Sequence, residues 1–168
     1  MLFQRPSHRT RVSFEVGIGR LGGTMTTLTG QDVQLGFRES VADAARVLDR
    51  YVDLTIARLR SHADLLQLAM ASEKSVINAL TDRSHPCQVL ADLMTLEEVG
   101  GGLTGQSVVY IGDGNNIATS LIEASALTGF ALTVITPPGY DPPAAVIERA
   151  QGLLDAAGPV RVASQAFM

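Results

Sequence analysis

Helical and strand-like segments alternate along most of this 168-residue chain, and that alternation limits the fold more than any other feature. Short apolar runs, typical of buried strands, lie between longer segments in which apolar residues recur every three or four positions. Strands that alternate with helices are joined by crossover connections and pair in parallel. Strands are predicted over 52–57, 75–79, 108–111, 131–136 and 160–163, and helices over 12–21, 40–51, 63–71, 86–99, 117–127 and 144–157.

Three consecutive glycines, Gly100 to Gly102, interrupt this alternation, which then restarts. The alternation predicts an α/β fold, and the break at the glycines divides it into two open parallel-sheet, Rossmann-like domains over 1–99 and 100–168. Residues 1–3 are too short for the full strand that should precede the first helix. The second sheet has barely three predicted strands, whereas a typical open sheet has about five or six. The pattern therefore indicates a first domain that is nearly complete and a second domain that is cut short.

Composition excludes several classes of partner. The net charge of −4 argues against a nucleic-acid-binding surface. No apolar run reaches the roughly 18 residues that a membrane span needs, and basic residues at 5, 8, 9 and 11 interrupt any stretch that could serve as a signal peptide. The single cysteine, Cys87, excludes an internal disulfide and is typical of a reducing cytosol. We expect a cytoplasmic protein without nucleic-acid or membrane partners.

The segment Ser7-His8-Arg9-Thr10-Arg11 offers two hydroxyl groups and two guanidinium groups just before a predicted helix. A helix N-terminus supplies unpaired N–H donors and the positive end of the helix dipole, and arginine binds phosphate oxygens in pairs. This combination suits a phosphate group. A helix cap flanked by solvated arginines would explain the same residues equally well, and the segment alone does not separate the two interpretations.

A second cluster is His85-Pro86-Cys87-Gln88, at the start of another predicted helix. His85 and Gln88 lie three residues apart and share a helix face, so they could polarise a carbonyl and bind a neighbouring amino group. A histidine that caps the helix is the plainer interpretation. Cys87 lies inside a helical turn without an evident base, which favours a structural role. Arg58 follows the predicted strand 52–57, at the strand end where open parallel sheets place ligands.

The third cluster, Gly112-Asp113-Gly114-Asn115-Asn116, joins a strand to a helix. It has two glycines of a dinucleotide-binding turn, but the third is absent, and the next strand ends in Thr136 rather than in an acidic residue. A dinucleotide-dependent enzyme is therefore a weak alternative. Asn115 and Asn116 could cap the helix or could hold a polar group of a substrate.

Taken in order, these clusters resemble the motifs of the carbamoyltransferase family, and of its ornithine branch in particular. The family's Ser-Thr-Arg-Thr-Arg motif is similar to residues 7–11, and its His-Pro-Cys-Gln motif matches residues 85–88. The stretches 34–40 and 113–116 also resemble the ornithine branch. The similarity extends over nearly all of the chain, with several motifs in the expected order and spacing.

The resemblance implies transfer of a carbamoyl group from carbamoyl phosphate to the side-chain amine of L-ornithine, without a metal or organic cofactor. It assigns the phosphate to Ser7, Arg9, Thr10 and the backbone of His8. Around the carbonyl oxygen it places the catalytic residues Arg58, His85 and Thr10, and it gives Gln88 to the carbamoyl NH₂ group. Asn116 would bind the amino-acid end of ornithine. Gln34 would reach into a neighbouring subunit's carbamoyl-phosphate site, because the family forms homotrimers.

Two departures from the family pattern bear on activity. His8 stands where the family carries threonine; a backbone contact there would survive the change, whereas a hydroxyl contact would not. The chain also lacks counterparts of the family's opening helix, most of its first strand and the later part of its ornithine domain. We therefore expect an incomplete ornithine site with weak or no turnover in this chain. The alternative is a non-catalytic fragment or relic that retains only the phosphate-binding corner.

Overall fold

The computed structural model describes residues 1–32 and 34–153 in full, and residues 160–164 at the level of the backbone. The elements in chain order are β1 (Leu2–Phe3), α1 (His8–Arg20), β2 (Leu28–Thr29), α2 (Val41–Leu48), β3 (Leu54–Arg58), α3 (His62–Ala71), β4 (Ser75–Leu80), α4 (Pro86–Gly100), β5 (Ser107–Ile111), α5 (Asn116–Thr128), β6 (Ala131–Thr136), α6 (Ala144–Leu153) and β7 (Val160–Ser164). The predicted α/β class with two parallel sheets is confirmed. Residues 154–157 of the predicted helix 144–157 lie outside the described residues.

The first sheet has the strand order β2-β1-β3-β4, and all of its pairs are parallel. Strand β3 was predicted over 52–57, whereas it begins at Leu54 and ends at Arg58. Residues 2–3 do form a short strand: Phe3 pairs with Arg58 on one side and with Thr29 on the other. The strand Leu28–Thr29 was missed, since two residues carry no detectable periodicity.

Serine side chains set the starts of the helices in the first sheet's unit. Ser7, Ser40 and Ser61 occupy the N-cap positions of α1, α2 and α3, and each accepts a hydrogen bond from the backbone three residues on. The predicted start of α1 at residue 12 was therefore late by about one turn. None of the residues of α1 is buried. The unit's core comprises Leu2, Val41, Ala45, Ala57, Leu59, Leu65 and Leu68.

The second sheet has the order β5-β6-β7, with parallel pairing throughout. Phe130, Leu132 and Val134 are fully buried and pack in one cluster with residues of α4, α5 and α6. The strand 108–111 was expected to be buried, yet Val109 and Ile111 are 57% and 62% exposed. Successive residues of a strand face opposite sides of the sheet, and the core cluster gathers on the side of Val108.

By its internal contacts the chain divides into two compact units, residues 1–82 and 83–168. Helix α4 belongs to the second unit, where its Val89 and Leu93 join the core cluster. The boundary between residues 99 and 100, which follows from the glycine run, stays a prediction. At the end of α4, Gly101 adopts a left-handed conformation with φ 74°, which favours glycine. In the part of the chain described here, no helix is both long and apolar enough to span a bilayer.

Candidate functional site

Three of the predicted residues come together at the carboxyl edge of the first sheet. Ser7 Oγ donates to Thr10 Oγ1 at 3.0 Å, and Arg58 Nη1 donates to the same hydroxyl oxygen at 3.5 Å. The turn between β1 and α1 carries Ser7, and the end of β3 carries Arg58. Because these two strands are parallel neighbours, their carboxyl ends meet at one edge. The fold thus gathers two hydroxyl groups and one guanidinium group.

The first turn of α1 adds backbone donors to this corner. Ser7 Oγ accepts from the N–H of Thr10 at 3.4 Å, and Ser7 O accepts from the N–H of Arg11 at 3.2 Å. The N–H groups of His8 and Arg9, the first two residues of the helix, have no acceptor within the helix. The His8 side chain is exposed. The backbone donor at position 8 comes from the start of the helix and does not depend on this side chain.

The charge of Arg58 is poorly compensated within the described residues. Its Nε atom is buried and has no hydrogen-bond partner there. Burial lowers the pKa of the Arg58 guanidinium, and the nearby positive charge of Arg5 lowers this pKa further. A guanidinium stays protonated throughout the physiological range. The corner thus holds closely placed positive charges, an arrangement that an anion would stabilise. Sequence reasoning missed Arg5, because nothing in the pattern showed its proximity to Arg58.

Two cavities adjoin this corner within the first unit. The larger, of about 720 Å³, is lined in part by Ser7, His8 and Arg60. A neighbouring cavity of about 280 Å³ is lined by Gln34 and again by Arg60. Gln34 is exposed, and its backbone carbonyl oxygen accepts hydrogen bonds from the N–H groups of Phe37 and Arg38, which closes a turn. Gln34 thus lines the smaller cavity and is not among the residues that line the larger cavity with Ser7.

His85 and Gln88 lie at the start of α4 in the second unit. His85 occupies the N-cap position, Pro86 is the first helical residue as expected, and the His85 side chain makes no capping hydrogen bond. His85 thus occupies the capping position that the plainer interpretation gave it, without a capping hydrogen bond from its side chain. Its backbone N–H donates to Ser120 Oγ of α5 at 2.8 Å, a contact that sequence reasoning missed. Gln88 Nε2 donates to Asp92 Oδ1 at 2.9 Å on an exposed surface.

Cys87 is half-buried, and burial raises the pKa of its thiol. A nucleophilic cysteine needs a lowered pKa, since the thiolate is the reactive form. The structure thus favours the structural role that the sequence indicated for this residue. No group of three or more histidine, cysteine, aspartate or glutamate side chains among the described residues is arranged to hold a metal ion.

The turn before α5 resolves the roles of its two asparagines. Asn115 Oδ1 accepts from the N–H of Ile117 at 2.8 Å and from that of Ala118 at 3.4 Å, so Asn115 is the helix cap. Its Nδ2 donates to Asp113 Oδ1 at 2.6 Å. Asn116 is the first residue of the helix and is half-buried. Of the two candidates, Asn116 is therefore the one not used to cap the helix.

These features define a class: an α/β protein of parallel sheets that gathers hydroxyl, guanidinium and backbone N–H donors at the carboxyl edge of its first sheet. Comparison with known families then gives the family. The carbamoyl-phosphate-binding domain of the aspartate/ornithine carbamoyltransferases matches residues 1–98, and the aspartate/ornithine-binding domain of the same family matches residues 104–164. The chain belongs to the aspartate/ornithine carbamoyltransferase family.

Individual relatives and solved structures agree with this membership. The chain is 50% identical over 153 residues to an ornithine carbamoyltransferase of Haloquadratum walsbyi, a match covering 91% of the chain and 51% of that relative. It is 52% identical over 151 residues to one of Pyrococcus abyssi, covering 90% and 48%. The solved ornithine carbamoyltransferase of Pyrococcus furiosus is similar at a TM-score of 0.95 and 48% identity, covering 98% of the chain and 53% of that structure. The chain therefore spans about half the length of the relatives it matches.

Proposed function

We propose that this chain contributes to carbamoyl transfer from carbamoyl phosphate to the side-chain amine of L-ornithine, which yields L-citrulline and phosphate. The observation that carries the proposal is the cluster of Ser7, Thr10 and Arg58 at the N-terminus of α1, in which the Arg58 Nε has no described partner. A phosphate dianion supplies the negative charge and the acceptors that this cluster lacks. Family membership supports the same function.

In this proposal the first unit binds the phosphate. The backbone N–H groups of His8 and Arg9 donate to the phosphate oxygens. The hydroxyls of Ser7 and Thr10 add two more donors, and the Ser7 proton turns from Thr10 Oγ1 to the phosphate when the ligand binds. The Arg9 side chain is exposed and has no ion pair within the described residues, so it is available to a ligand. The corner stabilises the phosphate both in carbamoyl phosphate and as the leaving group.

The carbamoyl group needs donors rather than a covalent nucleophile. The amine nitrogen of ornithine attacks the carbamoyl carbon, a tetrahedral intermediate carries negative charge on its oxygen, and the C–O bond to phosphate then breaks. The attacking nitrogen loses one proton, and the departing phosphate takes it up. Arg58, His85 and Thr10 are proposed to stabilise the oxyanion, and Gln88 to accept from the carbamoyl NH₂. Losing one such donor typically costs about 10²–10³ in rate.

The amino-acid end of ornithine is assigned to Asn116. The protein is further proposed to act in arginine metabolism as a cytoplasmic homotrimer, in which Gln34 of one subunit reaches the carbamoyl-phosphate site of the next. The exposed position of Gln34 on a turn suits a residue that contacts a neighbouring subunit. The relatives are about twice as long as this chain, and Asn116 is the ornithine contact that we propose within the described residues.

Thermal stabilisation by carbamoyl phosphate, compared between this chain and His8→Thr, tests the proposal. We expect weak stabilisation of the chain, an equal or larger one in His8→Thr, and little citrulline from either. Inorganic sulfate at the same ionic strength is the control for a general salt effect. Stabilisation by carbamoyl phosphate that does not exceed that of sulfate would contradict the proposal. Phosphate binding without citrulline, even after the chain is completed to the length of its relatives, would favour the non-catalytic alternative.

A further inference from the structure

The loop of residues 137–143, between β6 and α6, lies directly on the turn that precedes Asn116. The N–H of Gly114 donates to the carbonyl oxygen of Tyr140 at 2.6 Å. A Cβ atom on Gly114 would lie 2.6 Å from Pro142 Cα and closer still to the peptide group between Asp141 and Pro142. The backbones of turn and loop are thus in contact, at a distance that no side chain at position 114 would permit.

The loop is itself fixed to the sheet by one side-chain hydrogen bond. Asp141 Oδ1 accepts from Thr136 Oγ1 at 2.7 Å. Thr136 is the last residue of β6 and is fully buried. A hydroxyl that donates to a carboxylate makes one of the stronger hydrogen bonds in proteins, and loss of the acceptor leaves a buried donor unsatisfied. Asp141 therefore ties the loop to a rigid part of the sheet.

Asn115 and Tyr110 hold the turn from within and from the elements that flank it. The Asn115 side chain makes hydrogen bonds with the first turn of α5 and with Asp113, so these bonds stay within the turn and α5. The Tyr110 hydroxyl contacts Asp113 O and Asn115 Oδ1 at 3.1 and 3.4 Å, again within the strand and turn that lead to the helix. Two backbone hydrogen bonds join the turn to other segments: the N–H of Gly112 donates to Ile135 O of β6 at 3.1 Å, and the N–H of Gly114 donates to Tyr140 O of the loop. Of these two, the loop contact at Gly114 is nearer in the chain to Asn116, which follows two residues later.

We propose that Asp141 is a positioning residue that sets the orientation of Asn116 through the loop and Gly114. The chain of contacts runs from Thr136 to Asp141, from the adjoining Tyr140 carbonyl to Gly114, and from Gly114 to the first residue of α5. This inference rests on the proposed function only in giving Asn116 a substrate to bind, namely the α-amino-acid end of ornithine. The geometry of Asn116 itself is testable without any ligand.

The test is the position of the Asn116 side-chain amide resonances in ¹H–¹⁵N spectra of the ligand-free chain. Asp141→Ala and Thr136→Val each remove the hydrogen bond, and we expect both to displace these resonances in the same direction. Asp141→Asn removes the charge but keeps an oxygen acceptor, and Thr136→Ser keeps the donor, so both should leave them nearly unchanged. This pattern separates a change of geometry from a change of local electric field.

Thr128→Val is the matched control, because Thr128 Oγ1 donates to Ala124 O at 2.8 Å within α5 and away from the loop. It should leave the Asn116 resonances in place. Asp141 is exposed, so Asp141→Ala keeps the proposal falsifiable even if Thr136→Val fails to fold. Unchanged Asn116 resonances in folded Asp141→Ala would overturn the inference, as would equal displacements in Asp141→Ala and Asp141→Asn.

Failure of the proposed function would be visible separately. Addition of carbamoyl phosphate to the same ¹⁵N-labelled chain should move the backbone amides of residues 8–10. If those amides do not move while the Asn116 pattern holds, the positioning role of Asp141 stands and the phosphate assignment is wrong. If those amides move while the Asn116 side-chain resonances do not change in Asp141→Ala, the positioning role is wrong and the phosphate assignment stands.

Discussion

Replacing Ser7 with alanine separates its role in the fold from its role in phosphate binding. Ser7 Oγ caps α1 by accepting from the N–H of Thr10 at 3.4 Å. Loss of an N-cap costs about 0.5–2 kcal/mol of stability. We expect about 1 kcal/mol for Ser7→Ala, because the capping hydrogen bond of 3.4 Å is long. The same hydroxyl is proposed to donate to the phosphate, a charged acceptor whose hydrogen bonds contribute about 1.5–3 kcal/mol. We therefore expect Ser7→Ala to weaken carbamoyl-phosphate binding about 10- to 100-fold.

Ser40→Ala is the matched control, since Ser40 caps α2 by accepting from the N–H of Asp43 at 3.1 Å. It should cost a similar free energy of unfolding, measured by urea denaturation, and leave the affinity for carbamoyl phosphate unchanged in a titration at constant ionic strength. Equal losses of affinity in the two variants would show that binding merely follows stability. An unchanged affinity in Ser7→Ala would refute the hydroxyl's role.

Three further predictions concern stability. Gly114→Ala should lower the free energy of unfolding by about 1–3 kcal/mol in denaturant titrations, because its Cβ would overlap the backbone at Pro142. A loss below about 0.5 kcal/mol, the size of a neutral change, would show that the loop moves to accommodate the methyl group. Gly17→Ala should raise the free energy of unfolding by about 0.5–1 kcal/mol, since a Cβ there meets nothing within 4 Å and alanine favours a helix; a decrease would contradict this. The hydrogen bond from the Ser72 hydroxyl, together with one from the backbone N–H of Glu73, lowers the pKa of Asp49. The contribution of Asp49 to stability is therefore full above its unfolded-state pKa of about 3.9 and is lost as pH falls through the lower folded pKa. Acid titration of Asp49→Asn should show a shallower loss of stability below about pH 4 than the parent chain.

Strand and helix periodicity predicted the elements that are long enough to show a repeat. Helix α4 and strand β6 were placed within one or two residues, because apolar residues repeat along both and because Pro86 and Gly101 mark the helix ends. The two-residue strands β1 and β2 have no period to detect. They exist because β1 pairs with β2 on one side and with β3 on the other, and this information lies in distant parts of the chain.

The candidate site shows the same division between local and distant information. Ser7 and Thr10 were identified from the segment itself, since capping serines and helix starts are local signals. The proximity of Arg58 to Thr10, and of Arg5 to Arg58, depends on strand pairing and could not be predicted from spacing. Likewise, the choice between Asn115 and Asn116 needed the observed hydrogen bonds, because both are suited to capping a helix.

The central claim is that Arg58 and the start of α1 bind the phosphate of carbamoyl phosphate. Its most direct test is a carbamoyl-phosphate titration followed by the backbone amides of residues 8–10, in the parent chain and in Arg58→Gln. Arg46→Gln is the control, because Arg46 pairs with Asp43 on an exposed face of α2. We predict at least about tenfold weaker binding in Arg58→Gln, as expected for loss of a charge-assisted hydrogen bond, and unchanged binding in Arg46→Gln. Equal affinities in all three proteins would contradict the claim.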